Sequence, residues 1–239
     1  VIDLNCDMGE SYGRFKVCKY EALFPYITSC NIACGFHGGD PLHIERTIEK
    51  ALAHGLRIGA HPSYPDLMGF GRRNMQLSKE ELFALIKYQV AALKGMVESM
   101  GGQLSYVKPH GALYNTMVQN KAEAETVVSA IRAISPELAV MGLAGSQVKE
   151  ITEAAGMSFI AEAFADRRYD DAGHLVARGT AGAVISEAEV AAKQVWEMVA
   201  HQRVTSINGK SISLQADSFC IHGDNPAAVA ILEAIRRKI

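Results

Sequence analysis

The chain has 239 residues, 49% hydrophobic and 21% charged, with a formal charge of −2; that length suits one barrel-sized domain, and the composition supplies apolar surface for a single large core. The near-neutral balance, with lysines and arginines scattered, makes no case for nucleic acid or an anionic membrane as partner, and no apolar stretch is long enough to span a bilayer. Five cysteines without a CxxC pair, and a start on strand-like Val1-Ile2-Asp3-Leu4 rather than a signal peptide, point to a reducing, cytoplasmic setting with buried thiols.

Short apolar runs alternate with amphipathic segments from end to end. Strands are expected at 2–5 and 29–33. Asp40-Pro41 then supplies an N-cap oxygen and a preset first helical residue, and Gly55 closes that helix after His54. After a strand at 57–60, Ser78 and Glu81 form a capping box. The helix it opens places Leu82, Leu85, Ile86, Val90, Leu93 and Val97 on one face and stops at Gly101-Gly102. Strands follow at 106–108, 139–142 and 158–162, and Ser186 with Glu189 repeats the capping box. Val204 to Leu214 alternates around Asn208-Gly209 and reads as a hairpin with a type I′ turn. A strand at 218–221 and a helix begun by Asn225-Pro226 complete the chain.

Seven strands with helical crossovers make a parallel sheet covered by helices, either a closed barrel or an open doubly wound sheet. The polar residues favour the barrel. Apolar Cys30, Ile32, Val107, Phe219 and Ile221 alternate with Asn31, Lys108, Cys220 and His222, and polar residues fall at or just past strand ends. Asp7, His37, His61, Lys108, His110, Glu162 and His222 all occupy such positions and are the catalytic candidates. An open sheet spreads them along an edge; a barrel gathers them at its carboxyl-terminal mouth, where barrel active sites are built.

A lone histidine at a strand end is as a rule a hydrogen-bonded structural group, but four at equivalent positions on four strands point to function. Asp7 and Glu162 are costly inside an apolar barrel unless paired with Lys108 or used in chemistry. His43, His54 and His201 read as surface or capping residues, and Cys6, Cys30 and Cys34 as small core residues on the apolar parity.

Two loops add anion chemistry: Asp66-Leu67-Met68-Gly69-Phe70-Gly71-Arg72-Arg73 and Asp166-Arg167-Arg168-Tyr169. From these loops and the strand ends, Asn5, Asn31, Arg72, Arg73, Asp166 and Arg168 are the substrate-binding candidates. Asp7, His61, His110 and His222 are the candidates should a metal be bound; mixed histidine and carboxylate ligands suit zinc or another transition ion, but HxH and HExxH spacings are missing. There is no GxxxxGK[ST] loop and no GxGxxG in strand–turn–helix context.

Asp3-Leu4-Asn5-Cys6-Asp7-Met8-Gly9-Glu10, Asn31-Ile32-Ala33-Cys34-Gly35-Phe36-His37 with Gly39-Asp40-Pro41, and Gly59-Ala60-His61-Pro62 resemble signatures of the LamB/YcsF family. So do Gly69-Phe70-Gly71-Arg72-Arg73, Val107-Lys108-Pro109-His110-Gly111-Ala112-Leu113-Tyr114-Asn115 and Ile221-His222-Gly223-Asp224. They occur in the family's order over almost the whole chain; Cys18, Cys30 and Gly39 replace an expected Gly, Ala and Ala. The family was first labelled with lactam utilization, and its members resemble the A component of bacterial ATP-dependent 5-oxoprolinase. The resemblance implies a seven-stranded (β/α) barrel related to polysaccharide-deacetylase and glycosidase barrels. It also implies hydrolytic opening of 5-oxo-L-proline to L-glutamate, ATP with Mg as its counter-ion, and partner subunits B and C. Two other readings use the same mouth residues: an ATP-independent, metal-dependent deacetylase or amidohydrolase, and a non-catalytic subunit that captures substrate for its partners.

Overall fold

Seven parallel strands close on themselves in chain order: β1 (Asp3–Met8), β2 (Ser29–Ala33), β3 (Arg57–His61), β4 (Leu104–Val107), β5 (Ala139–Leu143) and β6 (Phe159–Phe164), with a last strand that pairs back to β1. Between β6 and that last strand lies a separate antiparallel pair, β7 (Arg203–Thr205) and β8 (Ser211–Ser213), so the closing strand is β9 (Ser218–Cys220). The computed structural model describes residues 2–17 and 20–239; Val1 of the strand-like opening and Cys18 lie outside them. Closure removes the open edges that a sheet otherwise leaves. It also lengthens strands at the mouth: β1 stays paired through Asp7↔Asn31 and Met8↔Ile32, and β6 through Phe164↔Cys220. Asp7 and Glu162 therefore sit within strands rather than beyond them.

The helices are α1 (Pro41–Ala53), α2 (Lys79–Ser99), α3 (Gly111–Gln119), α4 (Lys121–Arg132), α5 (Val148–Ala154), α6 (Ala188–His201) and α7 (Ala228–Lys238). The α1 cap from Asp40 and the full Ser78–Glu81 capping box of α2 both form. The second expected box does not: α6 begins beyond Ser186, without a side-chain cap, and Glu189 pairs instead with Arg237 of α7. The hairpin forms, but its turn is not type I′. Only Gly209 of the Asn208-Gly209 pair has a positive φ, and Ser206 accepts from Gly209 N–H while its own N–H reaches Lys210 O. That is a three-residue loop with a left-handed glycine in its last position.

Strand parity sorts the core. Cys6, Met8, Cys30, Ile32, Val107 and Phe219 are buried in the shell between strands and helices, where apolar area removed from water contributes about 25 cal/mol per Å². The opposite parity fills the barrel with polar groups. Asn5 Nδ2 donates to Ser218 Oγ (2.8 Å), Asn31 Nδ2 to Asn5 Oδ1 (2.8 Å) and Tyr106 Oη to Asn31 Oδ1 (2.5 Å). Gly59 is required here, because the Tyr106 ring fills the space a side chain at 59 would enter. This satisfied polar layer is the platform on which the mouth residues stand. Cys30, Cys34 and Cys220 are free thiols; burial pushes Cys30 up and Cys34 to about 12, so neither of these two is a ready nucleophile.

Candidate functional site

A cavity of about 480 Å³ opens at the carboxyl-terminal mouth, a volume typical of small-molecule sites. Asp7, Glu10, His61, Lys108, His110, Tyr114, Phe164, Arg167 and His222 line it, with Arg72, Arg178 and Asp224 towards solvent.

One corner is organised by Lys108. Its Nζ lies 2.8 Å from Asp7 Oδ1, 2.7 Å from Glu162 Oε1, 3.3 Å from Asn5 Oδ1 and 3.3 Å from Cys220 Sγ, and its side chain is 3% exposed. Burial opposes its charge, but Asp7 above all, with Glu162 beyond it, holds the ammonium well above its ordinary value. Burial likewise raises Asp7, yet His61 and Lys108 outweigh it and keep that carboxyl well below the usual range. Burial holds Cys220 protonated. The corner thus presents a buried ammonium held between Glu162 behind it and Asp7 on the cavity wall.

A second corner holds histidines. His61 Nδ1 lies 2.6 Å from Lys108 O, and His110 Nε2 lies 2.8 Å from Phe70 O. A carbonyl only accepts, so each of these nitrogens carries the proton and the other nitrogen of each ring faces inward. Those inward atoms, His61 Nε2 and His110 Nδ1, are 2.9 Å apart. Glu10 Oε1 is 3.5 Å from His110 Nδ1 and 3.2 Å from His37 Nε2, while Tyr20 Oη donates to Glu10 Oε2 at 3.1 Å. His37 stacks flat on His110, ring centroids 3.7 Å apart. Burial first, then the neighbouring histidines, push His37 and His110 well below their ordinary value, whereas burial raises Glu10.

The local sequence explains the corner. After Pro109, Gly111 takes φ +61° at the start of α3, where its Cα approaches the Gly71 carbonyl and any side chain would collide with it. Phe70 and Gly71 take φ +55° and +62° in succession, which aims the Phe70 carbonyl at His110. A non-glycine residue in that region stores roughly 1–3 kcal/mol, which the surrounding contacts must hold. Asp66 braces this loop through Gly69 N–H (2.9 Å) and Arg73.

The third feature is a dyad. His222 Nδ1 donates to Asp166 Oδ1 at 2.7 Å, and Asp166 Oδ2 accepts from His222 N–H and Asn225 Nδ2, each at 3.2 Å. Burial raises Asp166, but His222 outweighs it and the carboxyl lies below its ordinary value. The His222 ring stacks on Phe164 and leaves Nε2 on the cavity side, near Asp7 and Cys220.

The structure therefore gathers Asp7, His61, Lys108, His110 and His222 on the cavity wall, with His37 and Glu162 buried directly behind it. Arg72 reaches the cavity and pairs with Asp224, which Arg178 also binds at 3.1 Å. The other expected substrate contacts are placed differently. Asn5 and Asn31 are fully buried beneath the wall and bonded to one another, to Ser218 and Tyr106, and to Lys108 and Asp7 above them, and Asp166 is held behind His222. Arg73 turns outward onto Asp66, and Arg167 lines the cavity where Arg168 was expected. Their side chains follow loop geometry, which strand parity does not describe. Glu10, Cys220, Tyr114 and Arg178 were missed. Cys220 shares its strand parity with His222, a signal present in the sequence; Glu10 returns to the mouth only because Gly9 takes φ +70°.

Comparison with known proteins agrees over the whole chain. The sequence pattern of the LamB/YcsF family matches residues 2–239. The A component of 5-oxoprolinase from Acinetobacter baumannii (strain ACICU) is 48% identical over 238 residues, covering 100% of this chain and 94% of its relative. Its namesake from Geobacillus thermodenitrificans is 47% identical over 228 residues, covering 95% and 89%. The crystal structure of a lactam utilization protein from Thermus thermophilus superposes with a TM-score of 0.93 at 40% identity, covering 99% of this chain and 96% of that one. No described helix is long and apolar enough to cross a membrane.

Proposed function

The chain belongs to the LamB/YcsF family, and from that premise we propose that it works as the A component of a 5-oxoprolinase, opening the ring of 5-oxo-L-proline to L-glutamate with ATP hydrolysis and partner subunits B and C. The observation that carries this reading is whole-chain identity near one half with proteins so named. The site chemistry suits it. An unstrained five-membered lactam needs an activated carbonyl and an activated water near neutral pH. As cosubstrate, ATP with its Mg would pass its γ-phosphoryl group to the lactam oxygen and leave as ADP; water adds to the activated carbon, C–N cleavage leaves a γ-glutamyl phosphate, and a second water releases phosphate and L-glutamate.

The chain's own residues supply the rest. Lys108 holds its charge at the cavity floor, where negative charge that develops on the lactam oxygen before it takes the phosphoryl group is stabilised by a few kcal/mol. His222, with Nδ1–H fixed on Asp166, presents Nε2 to take the proton of attacking water and contributes about 10²–10⁴-fold. Breaking the C–N bond then returns a proton to the departing nitrogen through the same imidazole. Arg72 and Arg178, joined through Asp224 at the rim, meet the substrate carboxylate or a phosphoryl group. The sequence carries no GxxxxGK[ST] loop, and the nucleotide would engage these arginines and surfaces contributed by the partners.

The test is glutamate release from 5-oxoproline by the chain with B and C, with and without ATP. Turnover requiring all three components and ATP is expected. Turnover by this chain alone on a simple amide or acetyl substrate, without nucleotide, would replace the reading with an ATP-independent amidohydrolase.

A further inference from the structure

We propose that Glu10, His61 and His110 bind one divalent transition-metal ion of the zinc class, with a coordination position left open to the cavity. The lactam reaction proposed above does not use this corner, and the inference stands without it.

The observation is a convergence of imidazole nitrogens and carboxylate oxygens on one small volume. His61 Nε2 faces His110 Nδ1 at 2.9 Å and Asp7 Oδ2 at 3.3 Å, and His110 Nδ1 faces Glu10 Oε1 at 3.5 Å. Both rings have spent their N–H on backbone carbonyls, at Lys108 and Phe70. The two inward nitrogens, 2.9 Å apart, need a proton or a metal cation between them. The separations bracket the roughly 3.3 Å edge of a tetrahedron with zinc–ligand bonds of about 2.0 Å.

The surroundings are those of a metal site as well. Each ligand is aimed by a second group: His61 by the Lys108 carbonyl, His110 by the Phe70 carbonyl, and Glu10 by Tyr20 Oη and His37 Nε2. Such outer contacts fix tautomer and ring orientation. The Phe70 carbonyl is delivered by backbone at φ +55°. His37 is not a fourth ligand, because its ring lies parallel to His110 at 3.7 Å and an ion in one ring plane is out of the other. Its Nδ1 is buried without a partner. Glu10, His61 and His110 line the cavity and His37 does not, so the open position faces substrate beside Asp7. Two histidines and one carboxylate with an open place suit zinc and neighbouring divalent ions. The other grouping of donor side chains at the mouth, Asp7 with Cys220 and His222, is already served by a cation: Lys108 Nζ lies 2.8 Å from Asp7 and 3.3 Å from Cys220 Sγ.

The experiment uses the full chain, stripped with chelator and titrated with Zn²⁺ alone by calorimetry and elemental analysis, then with Co²⁺ followed by absorption. One equivalent of Zn²⁺, a raised Tm, and a Co²⁺ spectrum of a four- or five-coordinate nitrogen–oxygen site without sulfur charge transfer are expected. Glu10→Gln and His61→Gln should each weaken Zn²⁺ binding by about 10-fold or more, and Cys220→Ser should leave it unchanged. Should either ligand variant fail to fold, the wild-type cobalt spectrum still decides. Folded, stripped protein that takes up no Zn²⁺ overturns the proposal, and leaves a proton shared by His61 and His110 as the occupant. A cobalt–sulfur band, or loss of binding in Cys220→Ser, overturns it in favour of the Cys220 cluster.

Discussion

The barrel carries an ionic cluster at each end, and the two are finished differently. At the amino-terminal end Asp3 Oδ1 accepts from Thr28 Oγ1 (2.7 Å) and Ser29 Oγ (2.6 Å), and Asp3 Oδ2 from Arg57 at 3.1 Å. Arg57 is 43% exposed, bonds Ser29 as well and lies over the Tyr106 ring. Every acceptor there has a donor. At the carboxyl-terminal end the groups are more deeply buried and less complete: neither Glu162 oxygen receives a well-directed hydrogen bond, His37 Nδ1 has no partner, and two imidazole nitrogens face each other at 2.9 Å. Buried polar groups are normally satisfied, so binding capacity left over after folding marks the end that awaits a ligand.

The largest effect is expected from removing the cation at the mouth. Lys108→Met leaves Asp7 and Glu162 buried without their ammonium, so it should destabilise the fold by about 3–5 kcal/mol and abolish turnover. Urea midpoints and the reconstituted assay check both. A stable, inactive Lys108→Met would mean that the carboxylates protonate or take up solvent at little cost, and that the mouth is less dry than its burial indicates.

Next in size is the dyad. His222→Ala should lower kcat in the reconstituted complex by about 10²–10⁴-fold with a small change in stability, since the ring is partly open to the cavity. Asp166→Asn keeps the shape but loses the charge that orients Nδ1–H; its effect should have the same sign, be smaller, and move the pH–rate profile. Near wild-type kcat in His222→Ala would remove the dyad from the chemistry and return it to the class of the Asp3–Arg57 cluster.

The ends should also differ in their response to acid. In metal-stripped protein, burial and mutual repulsion hold His37 and His110 below the ordinary histidine value. The unfolded chain then binds more protons than the folded one, so stability should fall as pH drops below about 6.5. Asp7, held low because His61 and Lys108 outweigh burial, extends the loss below about pH 4. Glu10, raised by burial, acts with the opposite sign from about pH 4.3 up to its raised value. Urea midpoints between about pH 8 and 5 should slope downward, and His37→Gln should flatten the slope. A flat wild-type profile would contradict the neutral-histidine assignment.

Much of the mouth is legible in the sequence because a closed parallel barrel converts strand parity into radial position. Lys108, His61 and His222 are inward by alternation alone, and Cys220 belonged with them on the same evidence. What alternation does not carry is the path of the chain after a strand ends. Glu10 turns inward through a left-handed Gly9, and Arg167 rather than Arg168 reaches the cavity through a loop tied by Arg168 N–H to Ala183 O and by Val176 N–H to Arg168 O. Asn5 and Asn31 share the inward parity yet lie one layer too deep to meet a ligand. Parity gives direction, and depth depends on barrel stagger. The Ser186 cap failed for a related reason: a pattern of two side chains does not say where the helix axis begins, and Arg237 on α7 offered Glu189 a tertiary partner.

The smallest expected effect is the control that gives the contrast between the ends its meaning. Arg57→Met removes a cation from a strand end just as Lys108→Met does, but its partner Asp3 keeps two hydroxyl donors and is 19% exposed. Solvent screens that pair, and an exposed ion pair contributes about 0–1 kcal/mol; the methionine stem can still cover Tyr106 where the guanidinium lay. The loss should therefore stay within about 1 kcal/mol, with unchanged kcat and KM in the reconstituted complex. If Arg57→Met instead costs as much as Lys108→Met, exposure and hydrogen-bond completeness would not be what separates the two ends. The unfinished bonding at the mouth would then be an ordinary feature of this barrel rather than the mark of its site.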